Sequence, residues 1–360
     1  MNKQYNAGES VYQGRLGLLS ESRLSAHSRL KARIFHTIRD FDNNLAFNAD
    51  GVVTFRRNFS GAGAGYLLDI KPGRVAWQLH AGFDLERQAD LRKRYANLNG
   101  ERGALSFEQL EIYQNAGLFV LNQLQLSSKW ALTANTRLDL IGVKANDHFL
   151  ENGDDSGSFQ RQNVSPVLGI RYSPSASANL YANFSTAFDM PALSELSANP
   201  DGGGGLNKGL LPQRTVGGEA GFKGIFRNRF RYEAAFFYAQ TQNELVPYEL
   251  PNSPGRTFYR NSGRTERKGM EMSVVWLPGA GFQFSANYTL AAYRYVNYTS
   301  GANTFDGKRI PGLPEQTGAF ELRYTHRKGP FAFFNARYVG LLYADDANNT
   351  GIPAFWLLNV

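Results

Sequence analysis

The sequence predicts an all-β chain, an antiparallel transmembrane β-barrel of about 15 strands belonging to a larger barrel. Three observations predict it. Apolar and polar residues alternate with a period of two, the connections alternate between short and long, and no segment carries a helical period.

The alternation can be followed in order. Val75, Trp77, Leu79, Ala81, Phe83 and Leu85 interleave with Gln78, His80, Gly82, Asp84 and Glu86. From Leu132 the apolar or small positions are Leu132, Ala134, Thr136, Leu138 and Leu140, with Thr133, Asn135, Arg137 and Asp139 between them. Tyr232, Ala234, Phe236 and Tyr238 alternate with Arg231, Glu233, Ala235 and Phe237. Phe282, Phe284, Ala286, Tyr288 and Leu290 follow, then Phe320, Leu322 and Tyr324. Successive strand residues point to opposite faces, so one face is apolar and the other wet.

The connections give the second signal. Short turns fall at Arg23–Ser25, Pro72–Gly73, Ser127–Lys129, Pro174–Ser177, Arg227–Asn228, Pro278–Gly281 and Lys328–Pro330. Longer polar loops are expected at Phe41–Asp50, Leu91–Gln109, Lys144–Phe159, Asp189–Pro212, Asn243–Arg256, Arg294–Leu313 and Ala344–Ile352. Strict alternation of this kind is what short periplasmic turns and longer extracellular loops produce. Strands such as Arg74–Ala89 and Asn228–Gln242 exceed the roughly 9–11 residues that cross the hydrocarbon, so they rise beyond it. Rings near strand ends, among them Trp130, Tyr172, Phe226, Trp276, Tyr343 and Trp356, suit the two membrane interfaces. A closed bacterial barrel needs an even number of strands, and an open edge facing lipid leaves amides unpaired. The fifteen strands therefore predict truncation at both ends, and Ala354–Val360 stops as if cut inside a strand.

Composition narrows the function. The chain has 26 Phe, 18 Tyr and 37 Gly but no Cys, which excludes a disulfide framework, thiol catalysis and zinc–thiolate sites. No run approaches the roughly 18 apolar residues of a transmembrane helix, while a mean hydropathy of −0.39 is compatible with alternating barrel strands. The opening Met1–Ser10 has no basic segment followed by an apolar core and is no signal peptide, so an exported chain is expected to start further upstream. The net charge of +8 is spread along the chain without a basic tract, and no nucleic-acid partner is expected. The five histidines lack metal-ligand spacing. Gly202–Gly205 has no strand-to-helix context for a phosphate loop and reads as a flexible loop tip. The pairs Asp154-Asp155 and Asp345-Asp346 read as solvated loop carboxylates. No catalytic residues, metal ligands or cofactor motif emerge, and the chain is not expected to be an enzyme.

Several stretches resemble TonB-dependent outer-membrane receptors of the ferric-siderophore type. Leu180-Tyr-Ala-Asn-Phe-Ser-Thr-Ala-Phe-Asp-Met-Pro-Ala-Leu-Ser-Glu-Leu196 is similar to the family's mid-barrel strand and following loop, with Asp189 and Met190 where Arg-Ala is usual. Leu210-Leu-Pro-Gln213 and Gly217-Gly-Glu-Ala-Gly-Phe-Lys-Gly224 resemble its Leu-x-Pro-Glu and Glu-x-Gly-x-Lys-Gly elements. Tyr259-Arg-Asn-Ser-Gly-Arg-Thr-Glu-Arg-Lys-Gly-Met-Glu271 and Gly307-Lys-Arg-Ile-Pro-Gly-Leu-Pro314 resemble two later strand entries. The resemblance covers the latter half in motif and the first half in pattern. It implies a bacterial outer-membrane receptor for energy-coupled uptake of a ferric siderophore or similar nutrient, with outer-membrane lipid around it. It also implies about 22 strands around an N-terminal plug, and an energy-coupling protein that acts through segments missing here. Residues 1–360 are expected to be one partial barrel domain with the plug domain absent. Haem receptors of the family carry a histidine after the mid-barrel strand; none lies between Asp189 and Pro212.

Two surfaces are candidates for function. The lumen-facing series Gln78, His80, Asp84, Glu86, Arg137, Asp139, Arg171, Arg231 and Glu233 would contact a plug or water. The long loops hold Tyr248, Arg256, Tyr259, Arg260, Tyr295 and Arg309, with Tyr298 and Lys308 nearby. Guanidinium groups among tyrosines suit an anionic, oxygen-rich ferric chelate, because Arg grips carboxylates in a forked geometry. Alternatives are a passive porin, an outer-membrane enzyme barrel or a soluble β-rich binding protein.

Overall fold

In a computed structural model describing residues 3–201, 203–251 and 253–360, the chain is dominated by one fifteen-stranded antiparallel sheet. The strands are β1 (Gly8–Arg23), β2 (Ser28–Asn44), β3 (Val52–Ile70), β4 (Ala76–Leu98), β5 (Glu101–Gln125), β6 (Trp130–Asp147), β7 (Gly157–Ser175), β8 (Ala178–Asp189), β9 (Gln213–Phe226), β10 (Phe230–Gln242), β11 (Arg264–Gly279), β12 (Phe282–Asn297), β13 (Gln316–Thr325), β14 (Phe331–Val339) and β15 (Phe355–Asn359). Each strand pairs only with its sequence neighbours in this sheet, so the wall is a meander. The class and the strand count are those the alternation predicts. Within the described residues β1 and β15 are paired on one side only.

Cross-strand partners share a face, so the register sorts the side chains. One row runs Leu18, Ile34, Ala62, Leu85, Ala116 and Leu140 across β1 to β6. Its large members are all exposed, as are Leu168, Phe184, Phe222 and Phe236 further round. A sheet whose largest apolar side chains face outward has no ordinary core on that side; hydrocarbon is the solvent that suits it. The opposite face carries Arg33, Asp84, Arg137 and Asp139, joined by ion pairs.

Several predicted loops are partly strand. β4 and β5 run for 23 and 25 residues and meet at Asn99 (φ 53°) and Gly100 (φ 99°). Residues 91–109 are therefore mostly hairpin. Asn-Gly is the dipeptide that tolerates two successive positive φ values, which match the twist of paired strands. Within the loop expected at Asn243–Arg256, Leu245–Leu250 pairs with Ser253–Asn261 as a separate hairpin; Asn252 lies outside the described residues. Smaller hairpins join Thr299–Ser300 to Asn303–Thr304 and Leu342–Tyr343 to Gly351–Ile352.

A parity test follows. Phe236→Arg places a charge on the hydrocarbon side near the midplane and is expected to cost about 2–4 kcal/mol. Phe237→Arg, one residue on and opposite Glu219, should cost far less. Denaturant unfolding of the protein in lipid vesicles measures both, and equal losses would contradict the assignment of faces.

Candidate functional site

The wall's lumen side holds an ordered set of charges. Arg33 donates to Asp84 at 2.8 Å and Arg137 donates to the same carboxylate at 3.1 Å. Arg137 also binds Asp139, which accepts a bond from Asn115. The charged groups sit on alternate strands, and the register shows how they touch: Arg33, Gly63, Asp84, Gly117 and Asp139 form one row. A Cβ at Gly63 would lie 2.5 Å from Asp84 Oδ1, and one at Gly117 would collide with Arg137. Glycine in the gaps lets the long guanidinium arms reach across an intervening strand. Three of the predicted lumen residues, Asp84, Arg137 and Asp139, are thereby brought together. Gln78 reaches Asp69 at 3.4 Å and Arg171 reaches Gln125 at 2.9 Å, while the His80 ring packs edge-on against Phe119.

Nearer the long loops a second tier is enclosed. Arg57 makes two bonds to Asp90, at 2.9 and 2.7 Å, and Arg92 donates to Glu111 at 3.0 Å. Asp90, Gln109 and Glu111 are fully buried. The lid above them is built by residues 190–201 and 203–212. It forms one helical turn, α1 (Leu193–Leu196), started by Glu195, whose carboxylate accepts from the Ala192 amide at 2.8 Å. Leu193, Leu196, Leu206 and Leu210 pack against Ile141, Val143 and Ala145 of β6. Those three β6 residues share the parity of Arg137 and Asp139 and so face the lumen. Below the lid lies a cavity of about 480 Å³ lined by Arg57, Tyr113, Arg137, Asp139 and Asp189.

The glycine run is part of this lid. Gln109 accepts from the Gly205 amide at 2.9 Å and donates to its carbonyl at 3.3 Å. Asp155 accepts from the Gly204 amide at 2.8 Å. Gly204 and Gly205 are thus anchored, contrary to the flexible tip expected; Gly202 lies outside the described residues. The reason is close backbone approach: Gly205 has φ +73°, and a Cβ there would fall 2.5 Å from the Asp155 carbonyl.

The six loop residues proposed for ligand contact are distributed as follows. Arg256 donates to Asp50 at 3.2 Å and lies over the Phe258 ring at 5.3 Å. Phe258 packs against Tyr248, and the Arg260 guanidinium lies 4.7 Å above the Tyr248 ring. Arg260 donates to the Tyr298 hydroxyl at 3.0 Å. Tyr298 stacks on Tyr295, and both hydroxyls donate to Asp346, at 3.4 and 2.7 Å. Arg309 pairs with Glu315 at 2.9 Å, and its amide donates to Asn348. Tyr259 turns away, packing against the apolar lid cluster. The structure therefore links Arg256, Tyr248, Arg260 and Tyr295 into one chain through Phe258 and Tyr298, with Arg309 held on the neighbouring Asp345–Asn348 segment. Burial, reinforced by Asp346, pushes the Tyr298 hydroxyl above its ordinary value, so it stays protonated as a donor.

Nothing in the spacing flags Asp50, Phe258 or Gln109, whose partners lie far off in sequence. Asp346 accepts two tyrosine hydroxyls where a solvated carboxylate was expected. Asp345 caps the amides of Asn349 and Thr350, which hold its carboxyl below the usual carboxylate value. Among the described residues no group of three or more His, Asp or Glu side chains is placed to hold a metal ion.

Comparison with known proteins agrees with this architecture. The family described as "TonB dependent receptor-like, beta-barrel" matches residues 3–360. The metal-pseudopaline receptor CntO of Pseudomonas aeruginosa is 25% identical over 252 residues, which is 65% of this chain and 32% of that receptor. The siderophore receptor PiuA from Acinetobacter baumannii superposes with a TM-score of 0.75 at 16% identity, covering 97% of this chain and 57% of that one. A copper transporter, OprC, gives 0.77 at 16% identity, covering 99% and 57%. The chain thus spans about a third of its curated relative's length and a little over half that of the solved structures.

The lid offers a direct test. Gln109→Leu should leave the Gly205 amide and carbonyl without partners, a loss of about 1–3 kcal/mol. Hydrogen exchange should then rise across 193–210 while β4 to β6 keep their protection. Unchanged exchange would mean that Gln109 does not hold the lid.

Proposed function

This chain belongs to the TonB-dependent receptor-like β-barrel family, a family of transport receptors in the bacterial outer membrane, and we propose that its protein imports a ferric siderophore or similar metal chelate. The observation that carries this is the cation–aromatic chain Arg256–Phe258–Tyr248–Arg260–Tyr298 on the long-loop side of a charged lumen. A ferric chelate presents hard, anionic oxygens on a partly aromatic or aliphatic frame. Guanidinium groups backed by rings meet both demands, with charge-assisted bonds to oxygen and flat surfaces for the frame. Arg260 is the best placed of the six, because it lies between two rings and its Nε is buried without a hydrogen-bond partner.

Uptake then requires passage through the lumen. The tucked lid over β4 to β6 opposes passive diffusion, so transport would be gated and driven by an energy-coupling protein acting through a plug domain. The inward rows of Arg33, Asp84, Arg137 and Asp139 supply hydrogen-bonding partners for such a plug. The named cargoes of similar receptors range from metal–pseudopaline to copper, which supports a metal-centred cargo and leaves its chelator to experiment.

Binding of ferric carboxylate, hydroxamate and catecholate chelates, followed by quenching of intrinsic fluorescence, tests the proposal. Arg260→Ala should weaken the preferred chelate by about 10–100-fold, the worth of one charge-assisted contact. Arg256→Ala should weaken it less, because that side chain is also engaged with Asp50. Wild-type affinity in both variants would remove these residues from the site.

A further inference from the structure

Along the chain the excess of basic residues looks dispersed, but the fold gathers it at one end of the wall. Seven short turns join β1 to β2, β3 to β4 and so on to β13 and β14. Counted with the strand residue on either side, three of them carry two cations each: Lys71 and Arg74, Arg227 and Arg229, Arg327 and Lys328. Two more carry one each, Arg23 and Lys129. These eight stand with none of the 31 Asp and Glu. The other Lys and Arg equal the acidic residues in number, so the whole net charge of +8 belongs to this rim.

The rim charge is also unmatched. All eight side chains are exposed, and none makes an ion pair among the described residues. Arg23 and Arg229 donate only to backbone carbonyls, of Ser25 at 3.1 Å and Pro278 at 3.4 Å. The carboxylates closest to the turns in sequence, Glu21 and Asp69, are engaged by strand residues: Arg29 and Lys31, and Gln78. Within the wall the pattern is the opposite, since Arg33, Arg57, Arg92 and Arg137 all meet carboxylates.

Rings place this rim against the membrane. Lys129 precedes Trp130, which packs on Tyr172 at 4.6 Å. Arg227 and Arg229 stand between Phe226 and Phe230, and the Arg227 guanidinium lies 5.1 Å over the Phe226 ring. Arg74 is three residues before Trp77, and Arg327 is three after Tyr324. The register puts these rings on the outward face, where aromatic girdles mark the interface. Three residues at about 3.3 Å each leave the cations within roughly 10 Å of that girdle, and their long stems can reach back toward it. The turns add only two to five residues beyond the strands. Headgroup phosphates therefore lie closer to these cations than anything beyond the membrane.

We infer that the short-turn rim is a binding collar for anionic phospholipid of the inner leaflet. Its cations take the phosphodiesters in charge-assisted bonds, and the adjacent rings pack on the glycerol and upper acyl chains. A zwitterionic headgroup brings its own ammonium, which an unmatched cation repels, so the collar selects by net headgroup charge.

The test reconstitutes the full chain in phosphatidylcholine vesicles with a trace of spin-labelled phosphatidylglycerol or spin-labelled phosphatidylcholine. The motionally restricted fraction of each label gives the relative association. Wild type should favour phosphatidylglycerol by about threefold or more at low salt. The ratio should fall toward one near 1 M salt, where charges are screened beyond about 3 Å. Combining Lys129→Gln, Arg227→Gln, Arg229→Gln and Lys328→Gln should abolish the preference. Arg87→Gln with Lys144→Gln, which removes two outward cations nearer the long loops that also lack ion pairs, should leave it unchanged. Heat-modifiable electrophoretic mobility establishes that each variant is folded. Equal association of the two lipids with wild type would overturn the assignment without any variant, and leave the rim to an acidic protein partner. Full preference in the folded rim variant, or its loss in the Arg87 and Lys144 variant, would overturn it as well.

Discussion

A polypeptide in hydrocarbon must satisfy every backbone N–H and C=O from within itself, because no water is there to do so. The rest of this molecule depends on that constraint. It explains why each strand pairs with its sequence neighbour over its whole crossing, and why the register from β1 to β7 is broken only outside the long central stretches. Continuous pairing fixes parity across the sheet: once Leu85 faces out, Ala62 and Ala116 face out with it, and Asp84 and Glu86 face in. The outer row can then be apolar and the inner one charged without any buried core between them.

The same constraint says which parts were legible in the sequence. Strand parity is local, so the lipid-facing and lumen-facing sets around Trp77, Leu138 and Phe236 could be read from alternation alone. The pattern inverts from Ile141 to Ala145, where the inward residues Ile141, Val143 and Ala145 are the apolar ones because they serve the lid, while the outward Lys144 is charged. The Asn99–Gly100 turn carried its signal in its own two residues, but the polar, charged stretch around it resembled a loop. Hydrogen bonding, not hydropathy, makes that stretch a hairpin.

The loops were legible in kind only. Arginines and tyrosines were conspicuous at Tyr248, Arg256, Arg260 and Tyr295, but their partners were not: Gln109 meets Gly205 across 96 positions, Tyr295 meets Asp346 across 51 and Arg256 meets Asp50 across 206. Loop-to-loop contacts follow from the closeness of strand ends in the wall, a property of the whole sheet that no short window of sequence contains. Asp346 illustrates the difference. An aspartate beside another aspartate is ordinarily solvated, and only the approach of β12's end turns it into an acceptor for two phenols.

The loop cluster also constrains how a ligand could bind. Arg260 is engaged with Tyr298, Arg256 with Asp50 and Arg309 with Glu315, so at these three side chains an incoming anion finds only the Arg260 Nε, between its rings, without a partner. It must exchange partners, and the net gain is the difference between the new contacts and those given up. A neutral hydroxyl is the weaker competitor, since a carboxylate holds a guanidinium more tightly. Tyr298 stays protonated, so Arg260 yields its partner to an anionic oxygen more readily than Arg256 or Arg309 does. Selectivity for charged chelates then arises from the difference between a phenol and a carboxylate, with the aromatic faces of Tyr248 and Tyr298 retained on either side of the exchanged bond.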